Sequence, residues 1–90
     1  MRKTKKVITE TAGAWVKDLL EEYPDAKPEI FLEAPGGFDV YVRVEMPREM
    51  EDDEYMRMLR KTVTLNNEHQ ERTGVNIVAT VVDKEAVPNG

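Results

Sequence analysis

Between residues 38 and 46 the chain alternates without a break: Phe38, Val40, Val42, Val44 and Met46 on one side, Asp39, Tyr41, Arg43 and Glu45 on the other. Side chains of an extended strand point to opposite faces with a period of two, so this stretch predicts a strand with one buried face. Met46-Pro47 ends it, because proline has no amide to give to a ladder. A second, mostly apolar strand is predicted just before it, at residues 29–34. The connection Ala34-Pro35-Gly36-Gly37 reads as a type II turn. Pro35 presets φ at the second turn position, and Gly36 accepts a positive φ at the third. The pair is therefore expected to be a β-hairpin. Residues 75–83 form the last predicted strand, rich in β-branched side chains. Val75, Ile77, Ala79 and Val81 make one of its faces, and Val78, Thr80 and Val82 the other.

Two helices are predicted around these strands. Ile8, Ala12, Trp15, Leu19 and Tyr23 recur at steps of three and four, with Val16 and Leu20 beside them. Thr4 or Thr9 is placed to cap that helix, and Pro24 stops it. Gly13 lowers its propensity by about 1 kcal/mol. The second helix is predicted over residues 51–73, with Tyr55, Leu59 and Val63 as its buried stripe, widened by Met56, Thr62 and Asn66. Glu51, Asp52, Asp53 and Glu54 crowd its first turn, where the helix dipole favours negative charge. Arg57, Arg60 and Lys61 follow at pairing distance. Gly74 sits where a left-handed cap is expected.

The order α-β-β-α-β predicts an α+β two-layer sandwich, with two helices on one face of a three-stranded mixed sheet. The last strand has two available places, beside the first strand or beside the second. The 90 residues make a single small domain. Its ordered core is expected at about 8–84, flanked by a basic N-terminal tail and a short C-terminal one.

Composition narrows the chemistry. There is no cysteine, which excludes disulfides, thiol nucleophiles and cysteine-ligated metals. The net charge is −5 and is unevenly spread. Arg2, Lys3, Lys5 and Lys6 are basic, and the rest of the chain carries nine basic against eighteen acidic groups. An acidic body repels phosphate backbones and argues against nucleic acid as a partner. The tail is too short, and too poor in aromatics, to change that expectation. No apolar run approaches the roughly 20 residues of a membrane span. Val7-Ile8 gives way at once to Thr9-Glu10-Thr11, so no signal peptide is expected and a cytoplasmic location is.

The constellations that would carry chemistry have plainer readings. His69 has no partner at metal-ligand spacing and is expected to be solvent-exposed near a helix end. The run Glu49-Met50-Glu51-Asp52-Asp53-Glu54 lacks the glycine and the alternation of a calcium loop and leads into a helix. Gly36-Gly37 joins two strands, not a strand and a helix, and is no phosphate loop. Trp15 is expected in the core. Met46, Met50, Met56 and Met58 are expected to fill gaps near the strand-to-helix junction. No cofactor, metal or catalytic residue is predicted, and the chain is expected not to be an enzyme.

The face of the sheet turned away from the helices is the most informative feature. It should carry Phe31, Tyr41, Val78, Thr80 and Val82, with Ile30 and Leu32 pointing at the helices. Apolar residues converging from three strands on an uncovered face mark a partner surface. Two-fold homodimers are the commonest assembly, so a second copy is the expected partner and another protein the alternative.

The sequence Phe38-Asp39-Val40-Tyr41-Val42-Arg43-Val44, the long helix over 51–73 and the strand Val75-Asn76-Ile77-Val78-Ala79-Thr80-Val81 follow one another as they do in a known family. From Trp15 to Lys84 the chain resembles the cytoplasmic C-terminal domain of cation diffusion facilitator transporters. The same pattern fits a ferredoxin-like domain missing its first strand. The transporter resemblance implies a dimeric, metal-responsive domain, with metal held by histidines and acids near strand ends. At such places this chain has Glu45, Asp83 and Glu85 and no histidine, which implies weakened or lost metal binding. The expected function is a small interaction or regulatory module that self-associates through the open face, with a metal-responsive domain as the alternative.

Overall fold

Thr4 starts the first helix in the computed structural model, which describes residues 4–83. Its backbone is extended, and its side-chain oxygen accepts from the Val7 amide at 3.2 Å. That bond satisfies one of the amides that a helix N-terminus leaves without an internal partner. Helix α1 then runs Lys5–Glu22, so Lys5 and Lys6 form its first turn and not a tail. Met1, Arg2, Lys3 and the C-terminal stretch 84–90 lie outside the described residues.

Strand β1 spans Lys27–Phe31 and β2 spans Val40–Glu45. Helix α2 follows at Asp52–Thr73, and β3 at Ile77–Val82. The chain is thus an α+β domain in the order α-β-β-α-β, with a three-stranded mixed sheet ordered β1-β2-β3. β1 pairs antiparallel with β2, and β3 pairs parallel with β2. The last strand takes the place beside the second.

β1 begins two residues earlier than predicted. Pro28 reads as a breaker in sequence, but β1 is an edge strand, where a missing amide is tolerated. The turn also differs. The Phe38 amide donates to Pro35 O at 3.3 Å, and Gly36 and Gly37 have φ of 65° and 82°. The tight turn is therefore Pro35-Gly36-Gly37-Phe38, one residue later than the predicted type II turn, with positive φ at both central positions.

The core lies between the sheet and the helices. Val40, Val42 and Val44 of β2 are buried against Ala12, Trp15 and Leu19 of α1 and Met58 and Leu65 of α2. α2 packs on β3, and α1 approaches β2. The fully buried face of α2 is Met58, Thr62, Leu65 and His69; of the predicted stripe, Thr62 is buried, Tyr55 and Leu59 are partly buried against the core, and Val63 is exposed. Met56 and Val63 are 48% and 56% exposed, which corrects their expected burial. The polar members of the inward face have partners. Thr62 Oγ1 donates to Leu59 O at 2.7 Å, and His69 Nε2 lies 3.0 Å from Asp18 Oδ2. A hydrophobic count scores His69 against burial and so centres the stripe to one side of the buried face. Gly74 closes α2 with φ of 78°, and its amide donates to Gln70 O.

Candidate interaction surface on the open sheet face

The register places side chains on the open face in three rows. Phe31, Tyr41 and Val78 form the first, Glu29, Arg43 and Thr80 the second, and Lys27, Glu45 and Val82 the third. All five residues singled out from the sequence, Phe31, Tyr41, Val78, Thr80 and Val82, share this face. The first row is apolar and ordered. The rings of Phe31 and Tyr41 are stacked, with centroids 5.4 Å apart and planes at 22°. The Tyr41 hydroxyl lies 2.7 Å from Thr80 Oγ1, spanning from β2 to the second row on β3. Phe31 is 37% exposed, and Tyr41, Val78 and Val82 are half-buried among their neighbours. The remaining two rows carry Lys27 and Arg43 against Glu29 and Glu45, so the face is electrically balanced although the chain has a net charge of −5.

β1 extends this surface in a way that the alternation alone did not indicate. Ile30 pairs with Val42 and so points to the helix side, yet it is 39% exposed. The described helices pack chiefly over β2 and β3, and β1 is exposed along most of its length. Leu32, expected to point at the helices, and Phe38, expected on the buried face of its strand, lie beyond the ends of β1 and β2 and are both exposed, which corrects those placements. The signal for these was the run Ile30-Phe31-Leu32 in a strand with no room for a third covering helix.

Elsewhere several polar groups are engaged with one another. Arg48 donates to Asp25 at 2.8 Å and makes two bonds to Glu54, at 2.8 and 2.7 Å. These bonds hold the Asp25 and Glu54 carboxyls below their ordinary range and raise the Arg48 guanidinium further. Glu54 is thus held by Arg48, ahead of the helix, and Lys61 reaches across to Glu22 of α1 at 3.6 Å. Asp39 accepts from the Asn76 amide at 2.8 Å, while its own amide donates to Asn76 O.

His69, expected in solvent, is 1% exposed, and Asp18 on the facing helix is what makes that burial tolerable. Trp15 is fully buried as expected, and its indole Nε1 donates to Asn66 Oδ1 at 2.8 Å. Met46, Met50 and Met58 fill the core, whereas Met56 does not.

Of the acids near strand ends, Glu45 stands exposed on the open face, Asp83 Oδ2 accepts from the Met50 amide at 3.3 Å, and Glu85 lies outside the described residues. Among the described residues no group of three histidines or acids is placed to hold a metal ion. No described helix is long and apolar enough to cross a membrane.

The fold and the face together define a small α+β domain with an uncovered sheet. Comparison with known proteins finds no family model, no curated protein and no solved structure that matches the chain.

Proposed function

We propose that this chain is a small non-enzymatic interaction module that self-associates through its open sheet face. The observation that carries the reading is the stacked Phe31–Tyr41 pair beside Val78, held by the Tyr41–Thr80 bond on a face that no described helix covers. Ordered aromatic side chains supply contact area at low entropic cost, and uncovered apolar patches mark partner surfaces. The balanced charges of the other two rows support a second copy as the partner. A chain of net charge −5 repels its own kind most weakly where the local charges cancel. A two-fold axis would also let Arg43 meet the acids of the opposing face. The non-enzymatic reading rests on where the reactive side chains are engaged: His69 against Asp18, Arg48 against Asp25 and Glu54, and Asp39 against Asn76.

Sedimentation velocity on the full chain at micromolar concentration tests the proposal. The wild type is expected to associate. Tyr41→Glu places a charge in the apolar row and is expected to weaken association by about tenfold or more. A wild type that remains monomeric to the highest soluble concentration, or a Tyr41→Glu chain with unchanged mass, overturns the reading.

A further inference from the structure

Each row of the open face holds a complementary pair on β1 and β2. Phe31 stands beside Tyr41, Glu29 beside Arg43, and Lys27 beside Glu45. The aromatic pair closes within the chain, its rings 5.4 Å apart. The charged pairs do not close. Among the described residues Glu29, Arg43, Lys27 and Glu45 form no ion pair, although the register sets opposite charges directly across from each other. The sign also reverses along the strands. The acid is on β1 in the second row and on β2 in the third.

Two copies packed face to face are related by a two-fold axis lying between the sheets, along the strands or across them. An axis along the strands keeps each row opposite the same row of the second copy. Set over β2, it brings Arg43 onto Arg43 and Glu45 onto Glu45, and like charges oppose association. Set between β2 and β3, it faces Arg43 with Thr80 and Glu45 with Val82 and leaves the charges of β1 without a counterpart. Set between β1 and β2, it exchanges those two strands. Phe31 then lies over Tyr41 of the second copy, Glu29 over Arg43 and Lys27 over Glu45, so all three rows match at once.

An axis across the strands reverses the order of the rows and never matches all three. Set between the charged rows, it pairs Glu29 with Lys27 and Arg43 with Glu45. It then carries Phe31 and Tyr41 past the ends of the opposing strands, at Lys27 and Glu45. Set on the aromatic row, it carries both charged rows past the other ends, at Phe31 and Val40.

We infer that the second copy docks with the two-fold axis along the strands, midway between β1 and β2, and that Glu29–Arg43 and Lys27–Glu45 are the cross-copy pairs that select this partner and this register. This placement rests on the self-association proposed above and adds the contacts that specify it. Val78, Thr80 and Val82 of β3 form the rim of the interface, and the face of the β1–β2 hairpin forms its centre. Packed sheets are turned by about 30° from each other, and the long stems of lysine, arginine and glutamate span the resulting offsets.

The chain has no cysteine, so engineered ones report the geometry without background. Equimolar mixtures of two single-cysteine chains are oxidised, and disulfide-linked heterodimer is measured by mass spectrometry. Glu29→Cys with Arg43→Cys is expected to cross-link. Glu29→Cys with Thr80→Cys, which an axis over β2 brings together, is not. Nor is Thr80→Cys with Val82→Cys, which an axis across the strands between the charged rows brings together. Sedimentation velocity gives the energetic counterpart. Arg43→Glu is expected to weaken association by about tenfold. Mixing it with Glu29→Arg is expected to restore association, because every cross-copy pair in the second row is then opposite in sign. A wild type that stays monomeric to the highest soluble concentration leaves the face to a different protein and overturns the self-association reading and this placement together. A wild type that associates without a link between positions 29 and 43, or an Arg43→Glu chain that associates unchanged, overturns the placement alone.

Discussion

His69 Nε2 and Asp18 Oδ2 lie 3.0 Å apart, joining the two helices across 51 residues of sequence. A carboxylate only accepts, so Nε2 carries the proton in this bond. The ring is buried, whereas the Asp18 side chain is 39% exposed. The two partners therefore respond differently to truncation. His69→Ala empties a packed site and is expected to cost about 2–4 kcal/mol of unfolding free energy. Asp18→Ala leaves a buried donor unpaired and is expected to cost about 1–3 kcal/mol. Urea unfolding of both variants and of the double variant checks this. A cycle with no coupling energy would show that the bond contributes nothing.

Trp15 and Asn66 make another polar contact between the helices. Asn66→Ala removes the acceptor while the indole N–H stays covered by its own helix packing. The expected loss is about 1–3 kcal/mol. Trp15→Phe/Asn66→Ala should recover part of it, because the orphaned donor is gone. Thermal unfolding of the single and double variants distinguishes the orphaned donor from simple loss of volume.

Two glycines should respond with opposite signs to the same substitution. Gly13 lies within α1 and has open space where a Cβ would stand. Gly13→Ala is expected to stabilise the chain by about 0.5–1 kcal/mol through helix propensity. Gly74 has equal space but φ of 78°, which an alanine adopts only with strain. Gly74→Ala is expected to destabilise by about 1–2 kcal/mol. Urea midpoints of the two variants provide the check. Equal shifts would contradict the backbone argument.

The Arg48 cluster predicts an acid-side pH dependence. Bonds from Arg48 lower the folded-state pKa of both Asp25 and Glu54. A depressed folded pKa contributes stability that is fully present above the unfolded values, near 4. It is lost as pH falls through the lower folded values. Arg48→Met should therefore narrow the stability gap from wild type as pH drops below about 4, with the gap constant from pH 6 to 8. Urea midpoints across that range measure it, and a gap that widens on acidification would contradict the assignment. Because the cluster is exposed, the gap should also shrink in molar salt.

Much of the fold was legible because its signals are local. Period-two alternation in β2, β-branched residues in β3 and the steps of α1 each lie within one element. The open face followed from the same alternation, so Phe31, Tyr41, Val78, Thr80 and Val82 were correctly placed on one surface. What was not legible depends on partners distant in sequence. His69 looked solvent-exposed because Asp18, which makes its burial possible, is 51 residues away. The stripe of α2 was centred on Tyr55, Leu59 and Val63, with Thr62 at its margin, because the buried face also includes the polar His69. The start of β1 was hidden by Pro28, whose cost vanishes only on an edge. The turn slipped by one residue because both Gly36 and Gly37 accept positive φ, so glycine content alone does not set which pair is central.

The clamp between Asp39 and Asn76 carries a kinetic consequence. β2 meets β1 through a contact such as Phe31 with Tyr41, ten residues apart, but meets β3 across 37. Closing the longer loop costs about 1 kcal/mol more chain entropy, growing with the logarithm of length. The hairpin can therefore form early and locally, whereas β3 must wait for α2 to shorten the path. Until it arrives, one whole side of β2 is an open template for strands of other molecules. The doubly bonded Asp39–Asn76 contact fixes the register at the point where that wait ends.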